Sequence, residues 1–320
     1  MTTNTRPAID YTPWHDTVTA WDSPAAFAAA GGWVDGVHTI NLGDGPALDL
    51  LIVGQPFDMP VIPVFFNGAV TARGEKTGPF FSGSRLAAKA GFGFIAISDP
   101  SLGLHQSLGL AWYAGNRYSN VQDQITETLA GIAAQSGREL LLIGGSGGGF
   151  ASLYYGGRLN DVASAMVWNP QTEIRRYNKW YVDNYMQHAW GEECAAGTSV
   201  VGSLPKRVLY WQNANDWHVA GHAQPYMAAA GFNHQGRGVY ESGPDKVVCF
   251  AAYGEGHAGL PEKPMITAIR RLLDPNVTAS HALDTAIAKH AFGWEAPEWV
   301  FRDKVYLEVP EVALLIARES

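Results

Sequence analysis

The hydrophobic positions of the chain form short β-type runs that are separated by longer stretches with helical spacing. Within most runs the apolar residues are consecutive rather than alternating, which is typical of strands that are buried on both faces of a sheet. Eight runs predict strands, at 38–42, 48–53, 61–66, 94–98, 140–143, 164–168, 208–211 and 247–252. The first two lie close together and predict an antiparallel edge.

Helical stretches lie between these runs. From Val121 to Ile132 apolar residues recur every three or four positions, and Gly137 ends the stretch. Further helices are predicted at 84–90, 148–158, 224–230 and 265–273. Strands that alternate with helices predict an α/β fold with a mostly parallel sheet and right-handed crossovers.

The run Gly-Gly-Ser-Gly-Gly at 144–148 carries the pattern Gly-x-Ser-x-Gly between a buried strand and a helix. So tight a turn exposes the Ser146 hydroxyl and needs glycine two positions to either side, which predicts Ser146 as a nucleophile. A phosphate-binding P-loop is excluded because Phe150 follows Gly149 where that motif requires lysine. No register of these glycines matches a dinucleotide-binding fingerprint either.

A serine nucleophile needs a base and a carboxylate that orients the base. His257 follows the last predicted strand in a loop with glycines on both sides, and we interpret it as the base. Asp216 follows the strand at 208–211, where it can face His257, and is the predicted acid. Glu255 and Asp161 are weaker candidates, because the first is too close in sequence to His257 and the second lies at the wrong end of the sheet.

The oxyanion of an acyl-transfer reaction needs two or more hydrogen-bond donors. The amide of Gly147, directly after the nucleophile, is predicted to be one of them. The second is expected from the loop after the strand at 61–66, where the amides of Gly68 and Ala69 are equal candidates.

These residues together resemble the α/β-hydrolase superfamily over about 38–274. The resemblance implies an eight-stranded, mostly parallel sheet flanked by helices, a helical cap inserted after strand 6 at about 171–204, and hydrolysis through an acyl-enzyme. Many members carry His-Gly where this chain has Asn67-Gly68, so the oxyanion loop departs from the pattern. Residues 1–37 and 275–320 are expected to be an N-terminal and a C-terminal extension that pack on the outside of the core.

A second likeness concerns the segments 109–113 and 169–172, which are similar to segments of bacterial hydrolase-like proteins linked to cell-surface polysaccharides. It adds a glycan to the substrates under consideration.

Aromatic residues dominate the expected cap and its surroundings. Their helical spacing favours either an apolar substrate pocket or simple packing of the cap onto the sheet, and both interpretations stay open. Under the first interpretation the substrate-binding residues are Asn67, Trp112, Tyr113, Tyr177, Tyr181 and Trp217.

Composition removes several classes of function. The net charge of -8 and the absence of a basic stripe argue against nucleic acid. No apolar run is long enough for a membrane span and no signal peptide is recognised, so a cytoplasmic protein without a membrane partner is predicted. Two cysteines cannot form a disulfide framework. The set Asp216, His218 and His222 lacks the glutamate of a zinc-protease helix, so no metal and no cofactor are predicted.

The sequence therefore predicts a serine hydrolase that cleaves a carboxylic ester of a small molecule. The same residues could cleave an amide, a thioester, a lactone or a carbon–carbon bond. A glycan O-deacetylase and a non-catalytic, hydrolase-like binding protein linked to polysaccharide are the alternatives. The oligomeric state stays open, a homodimer included.

Overall fold

The computed structural model describes residues 6–191, 194–232 and 236–290. The strands are β1 Val18–Trp21, β2 Gly36–Ile40, β3 Leu48–Val53, β4 Val61–Phe66, β5 Phe94–Ile97, β6 Glu139–Gly145, β7 Ala163–Trp168, β8 Val208–Asn213, β9 Gly238–Glu241 and β10 Lys246–Ala251. The α-helices are α1 Pro24–Ala30, α2 Ser84–Ala90, α3 Val121–Ser136, α4 Ser146–Arg158, α5 Lys179–Tyr185, α6 Gln224–Ala229, α7 Glu262–Leu272 and α8 Ala279–His290.

All the described strands belong to one open sheet in the order β1-β2-β3-β5-β4-β6-β7-β8-β10-β9. From β5 to β10 every neighbouring pair is parallel, whereas β3 runs antiparallel to both of its neighbours. The mostly parallel α/β sheet that the sequence predicts is therefore confirmed.

The expected number of eight strands is wrong, because the described part of the chain contains ten. The two additional strands, β1 and β9, lie at the two edges and have four residues each. Residues along β1 alternate between exposed and half-buried, and in β9 only Gly238 is buried. A search for fully buried strands therefore finds the inner eight and misses both edges.

The centre of the sheet is buried on both faces. Leu141 and Ile143 of β6 pack in a cluster with α7 and α8, while Leu140 and Leu142 face the opposite cluster with α3. The consecutive apolar residues of β6 thus reflect helices that cover both sides, as expected for a parallel strand. The turn after β6 therefore follows directly from a buried central strand.

The segment expected to form the cap, 171–204, contains a 3-10 turn at Ile174–Arg176, helix α5 and a π-helical turn at Met186–Trp190. Tyr185 at the end of α5 is fully buried, and its hydroxyl donates to the carbonyl of Gly115 at 2.9 Å. The segment is thus anchored to the loop that precedes α3, and its function as a cap stays a prediction.

The two expected extensions contain ordered elements. Residues 1–37 hold β1 and α1, and residues 275–320 hold α8, which packs against α7. Residues 1–5 and 291–320 lie outside the described residues. The division into a core and two extensions stays a prediction.

Among the described helices, none has both the length and the apolar character that crossing a membrane requires.

Candidate active site

Ser146 lies at the sharp turn from β6 into α4, in a left-handed backbone conformation with φ 55°. A Cβ on Gly144 would lie 2.3 Å from the carbonyl oxygen of Gly148, and one on Gly148 would lie 2.3 Å from that of Phe66. Both obstacles are backbone atoms and cannot move aside. The glycines at both ends of the Gly-x-Ser-x-Gly pattern are thus required sterically.

Other left-handed residues lie around this turn. Trp112, Tyr113 and Asn169 have φ values of 54°, 55° and 42°, a conformation that costs about 1–3 kcal/mol for residues other than glycine. The backbone of Tyr113 is held on both sides, because its amide donates to Asp99 at 2.6 Å and its carbonyl accepts from the Tyr155 hydroxyl at 2.7 Å. Burial raises the pKa of Asp99 to about 6. Backbone strain that is held this firmly clusters at functional sites.

Asp216 and His257 meet at the carboxyl ends of β8 and β10. The Nδ1 atom of His257 lies 2.7 Å from Oδ2 of Asp216. The Asp216 side chain is fully buried, while that of His257 is 27 % exposed. Burial alone raises the pKa of the Asp216 carboxyl, but hydrogen bonds from His218 and His257 outweigh burial and hold the pKa well below its usual range. Asp216 is therefore ionised at neutral pH.

A polar network that sequence reasoning missed holds the His257 loop. Asn169 donates to the carbonyl of Ala258 at 2.6 Å and accepts from the Tyr253 hydroxyl at 2.7 Å. Asn213 donates to the carbonyls of Gly254 and Gly256 at 2.9 and 2.8 Å. Both asparagines belong to the carboxyl ends of β7 and β8. The position of His257 is therefore set by the edge of the sheet rather than by the loop alone.

Gln171 is a second residue that sequence reasoning missed as part of the site. Its Nε2 donates to Oγ of Ser146 at 2.6 Å, and its Oε1 accepts from the indole Nε1 of Trp112. Because an indole can only donate, the Gln171 oxygen must face Trp112 and its amide nitrogen must face Ser146. Tyr177 also hydrogen-bonds the Gln171 side chain.

The signal for this contact was present in the sequence. Gln171 and Trp112 belong to the segments 169–172 and 109–113, which the second sequence likeness singled out, and the two segments meet at the nucleophile. The likeness did not indicate that they contact each other.

Two backbone amides near the expected oxyanion position already donate hydrogen bonds within the protein. The Asn67 amide donates to the Tyr113 hydroxyl at 2.7 Å, and the Val70 amide donates to the carbonyl of Gly109 at 2.7 Å. Gly68 lies close to the nucleophile, since a Cβ on it would be 3.8 Å from that of Ser146. Gly147 lies in the first turn of α4, whose N-terminal amides favour negative charge. The choice between Gly68 and Ala69 as the second donor stays a prediction.

A cavity of about 430 Å³ opens at Ser146. It reaches from Ser146 to the first turns of α2 and α7. Its lining residues are Phe65, Phe66, Asn67, Gly68, Ser82, Gly83, Arg85, Leu86, Gly145, Ser146, Trp168, Asn169, His257, Gly259, Leu260, Glu262 and Met265. A second cavity of about 450 Å³ shares Asn67 with the first, and Trp14, Lys76 and Phe81 are among its other lining residues.

The expected substrate-binding residues do not all lie at the first cavity. Asn67 lines it, whereas Trp112 and Tyr113 are buried beneath the site and act through Gln171 and the Asn67 amide. Tyr177, Tyr181 and Trp217 form an aromatic row beside Asp216 and His218, with Tyr177 packed between the other two. Trp217 is 58 % exposed. The row borders the site without lining the cavity at Ser146 in the described structure.

The side chains of Asp216, His218 and His257 offer one metal-ligand atom each, and these atoms lie within 4.8 Å of one another. The Nδ1 atom of His257 lies 2.7 Å from Oδ2 of Asp216, and the Nδ1 atom of His218 lies 2.9 Å from Oδ1. Both are hydrogen-bond distances. The three side chains therefore hydrogen-bond one another in the described structure. His222, considered from the sequence as another ligand, is turned away and accepts the Thr172 amide with its Nδ1 at 3.1 Å.

No protein-family model matches the sequence, and no curated protein matches it. Among solved structures, dipeptidyl peptidase 4 of Porphyromonas gingivalis is similar over 77% of this chain and 36% of its own, with 15% identity and a TM-score of 0.50. An acetyl xylan esterase of Paenibacillus sp. R4 is similar over 78% of this chain and 91% of its own, with 16% identity and a TM-score of 0.46.

An S-formylglutathione hydrolase of Agrobacterium tumefaciens is similar over 70% of this chain and 88% of its own, with 13% identity and a TM-score of 0.44. Likenesses at such low identity concern the fold alone. This chain's own mostly parallel sheet and the strand–turn–helix unit that carries Ser146 point to the same fold. The chain therefore has the α/β-hydrolase fold.

Proposed function

We propose that the protein is a serine hydrolase that cleaves carboxylic esters of small molecules through an acyl-enzyme. One observation carries the proposal: His257, which is hydrogen-bonded to Asp216 at 2.7 Å, lines the same cavity as Ser146. A nucleophile at a strained turn, a base that is oriented by an ionised carboxylate, and free space beside both are the requirements of acyl transfer.

The first half of the reaction forms the acyl-enzyme. The Ser146 Oγ accepts a hydrogen bond from Gln171, so its own proton is free to pass to His257 Nε2. Oγ then bonds to the ester carbonyl carbon, and the amides of Gly147 and Gly68 stabilise the oxyanion. The proton on His257 goes to the leaving alcohol as the carbon–oxygen bond breaks. Gln171 assists by stabilising the charge that develops on Oγ.

The second half consumes water. His257 takes a proton from a water molecule, the hydroxide oxygen attacks the acyl carbon, and the proton returns to Ser146 Oγ as the acid leaves. Throughout both halves the buried charge of Asp216 stabilises the imidazolium of His257.

The cavity supports an apolar acyl or alkoxy group as the part of the substrate nearest to Ser146. Leu86, Leu260 and Met265 form apolar walls. Its rim carries Arg85 and Glu262, which are ion-paired at 3.2 Å, and Lys89 pairs with the same carboxylate at 2.6 Å.

Glycan O-deacetylation is a second candidate that uses the same chemistry on an acetylated sugar hydroxyl. The observation that favours it is the aromatic row, which extends outward from Trp217 and Tyr177 through Tyr181 to Trp180. Trp180 and Trp217 are 59 % and 58 % exposed, and exposed indole faces can stack on apolar ligand surfaces.

Turnover of p-nitrophenyl esters of increasing acyl length tests the proposal, with acetylated xylan as a parallel substrate. We expect turnover of short and medium esters that falls by at least about 10³-fold in Ser146→Ala. Turnover of acetylated xylan alone favours the glycan candidate. No turnover of any ester, or equal turnover in Ser146→Ala, contradicts the proposal and favours a non-catalytic binding protein.

A further inference from the structure

The Asp216 carboxylate has two imidazole partners rather than one. His218 Nδ1 lies 2.9 Å from Oδ1, while His257 Nδ1 lies 2.7 Å from Oδ2. Oδ1 also accepts the backbone amide of His218 at 3.0 Å. The acyl-transfer mechanism uses His257 and gives no role to His218, although His218 is buried and as close to the carboxylate as an oriented base would be.

The distances determine where the ring protons lie. The Nδ1 atoms of His218 and His257 are 2.9 Å apart. Each ring either directs an Nδ1–H group at Asp216 or, without that proton, competes with the carboxylate for the Nδ1 proton of the other ring. A proton-free Nδ1 on His218 would face Oδ1 at 2.9 Å lone pair to lone pair. Donation by both rings avoids this repulsion. The two N–H groups then form a fork on one carboxylate, as the two nitrogens of a guanidinium do.

Surroundings separate the roles of the two rings. His218 is enclosed by Tyr177 and His222, with ring centroids at 5.0 and 5.2 Å, whereas His257 opens on the cavity. Burial lowers the pKa of His218, and proximity to His257 lowers it further, against the opposing effect of Asp216. His218 therefore stays neutral when His257 becomes positively charged during turnover.

Other titratable groups face the fork without changing its charge near neutral pH. Burial raises the pKa values of Tyr177, Tyr210 and Tyr253, and the charge of Asp216 raises them further. Burial lowers the pKa of His222 to about 3. Arg176, a permanent cation, contributes to the lowered pKa of His222. All these groups keep one protonation state across the pH range in which His257 has to work.

We propose that His218 is a positioning residue of the hydrolase, which fixes the second oxygen of Asp216 and draws part of its negative charge away from His257. The inference rests on the proposed function for its kinetic consequence. Its structural part, the fork of two Nδ1–H donors on Asp216, can be tested without measuring turnover.

His218→Leu and His218→Asn test the kinetic part. Leucine removes the Nδ1–H donor, so the Asp216 carboxylate acts on His257 alone. We expect the acidic limb of the pH profile of kcat/KM to move up by about 0.5–1 pH unit. We also expect kcat to fall about tenfold. Asparagine can place its Nδ2 near the lost Nδ1, and we expect the acidic limb to stay near its wild-type position. His281→Leu, an exposed histidine of α8, serves as the control.

The same variants can overturn the proposal. Equal losses of kcat in both variants with an unmoved acidic limb mean that His218 only supports the fold. An unchanged profile in a folded His218→Leu protein means that it has no role.

NMR of the ¹⁵N-histidine-labelled protein tests the fork directly. We expect two histidines that carry their proton on Nδ1 in hydrogen bonds to a carboxylate, and only one of them in His218→Asn. A His218 that carries its proton on Nε2 overturns the fork. If the protein hydrolyses no ester but shows both Nδ1 protons, the fork stands and the proposed function fails.

Discussion

At the scale of single residues, the site depends on side chains that act through one another. Ser146 is held by Gln171, which is held in turn by the indole of Trp112. His257 is held by Asp216. The sequence pattern indicates the reacting residues because strand ends and glycines mark them. Gln171 is a polar residue in an irregular segment, and nothing in its local pattern indicates which atom it faces.

Replacing Gln171 by leucine should lower kcat/KM by about 10- to 100-fold, because the substitution removes a donor to the oxygen that becomes charged. Trp112→Phe should cause a smaller loss of about three- to tenfold, since it only frees the Gln171 side chain. Stopped-flow measurement of the acylation burst reports this step directly.

A matched control is Trp33→Phe. The Trp33 indole is also buried and donates to the carbonyl of Phe27 at 3.0 Å, in the cluster with α1 and away from the site. It should lower the melting temperature and leave the burst unchanged. A burst that is equally slow in both tryptophan variants would mean that Trp112 acts through general stability.

At the scale of elements, the strand–turn–helix unit formed by β6 and α4 brings the nucleophile to the carboxyl edge of the sheet. Asn67, Asn169, Asp216 and His257 reach the same edge from β4, β7, β8 and β10. Parallel strands place their carboxyl ends together, which explains how residues far apart in sequence could be predicted to meet.

Gly148→Ala should damage this unit more than a helical alanine ordinarily would. The new Cβ would lie 2.3 Å from the carbonyl oxygen of Phe66 and 3.0 Å from that of Asn67, so α4 or the end of β4 has to move. We expect about 1–3 kcal/mol lower free energy of unfolding and loss of most of the activity, measured by urea unfolding and ester turnover. Gly74→Ala meets no atom within 4 Å and should change neither. Wild-type behaviour of Gly148→Ala would contradict the described turn.

The elements also show where sequence reasoning stops. Strands with consecutive apolar residues were predicted correctly, because burial on both faces leaves a pattern that needs no knowledge of neighbours. The edge strands β1 and β9 pair along one side only, and their four residues carry no such pattern. The aromatic spacing from Tyr177 to Tyr181 predicted a helical segment, but not whether its rings face the cavity or lie beside it.

At the scale of the whole molecule, buried titratable groups couple stability to pH. His222 is buried with its pKa lowered to about 3 from an ordinary value of 6.5. Between these values the unfolded chain binds a proton on this residue and the folded chain does not, so the free energy of unfolding rises with pH. Asp49 and Asp99 act in the opposite direction, because burial raises the pKa of each to about 6.

Comparison with His222→Asn isolates the contribution of this residue. The Asn oxygen can still accept the Thr172 amide but cannot titrate. Between about pH 4 and pH 6 the slope of the unfolding free energy against pH should be about 1.4 kcal/mol per unit smaller in the variant. Urea unfolding across this range measures it, and the carboxylates cancel in the difference. Parallel curves for the two proteins would show that His222 does not stay neutral in the folded state.

The central claim is that Ser146 is an activated nucleophile, and covalent labelling tests it most directly. Fluorophosphonate is incubated with the wild type, with Ser146→Ala and with His257→Gln, and the labelled peptide is identified by mass spectrometry. The account predicts one adduct per chain, on Ser146, which is absent from Ser146→Ala and forms at least about 10²-fold more slowly in His257→Gln. An adduct on another residue, or labelling of Ser146 at the same rate without His257, would contradict it.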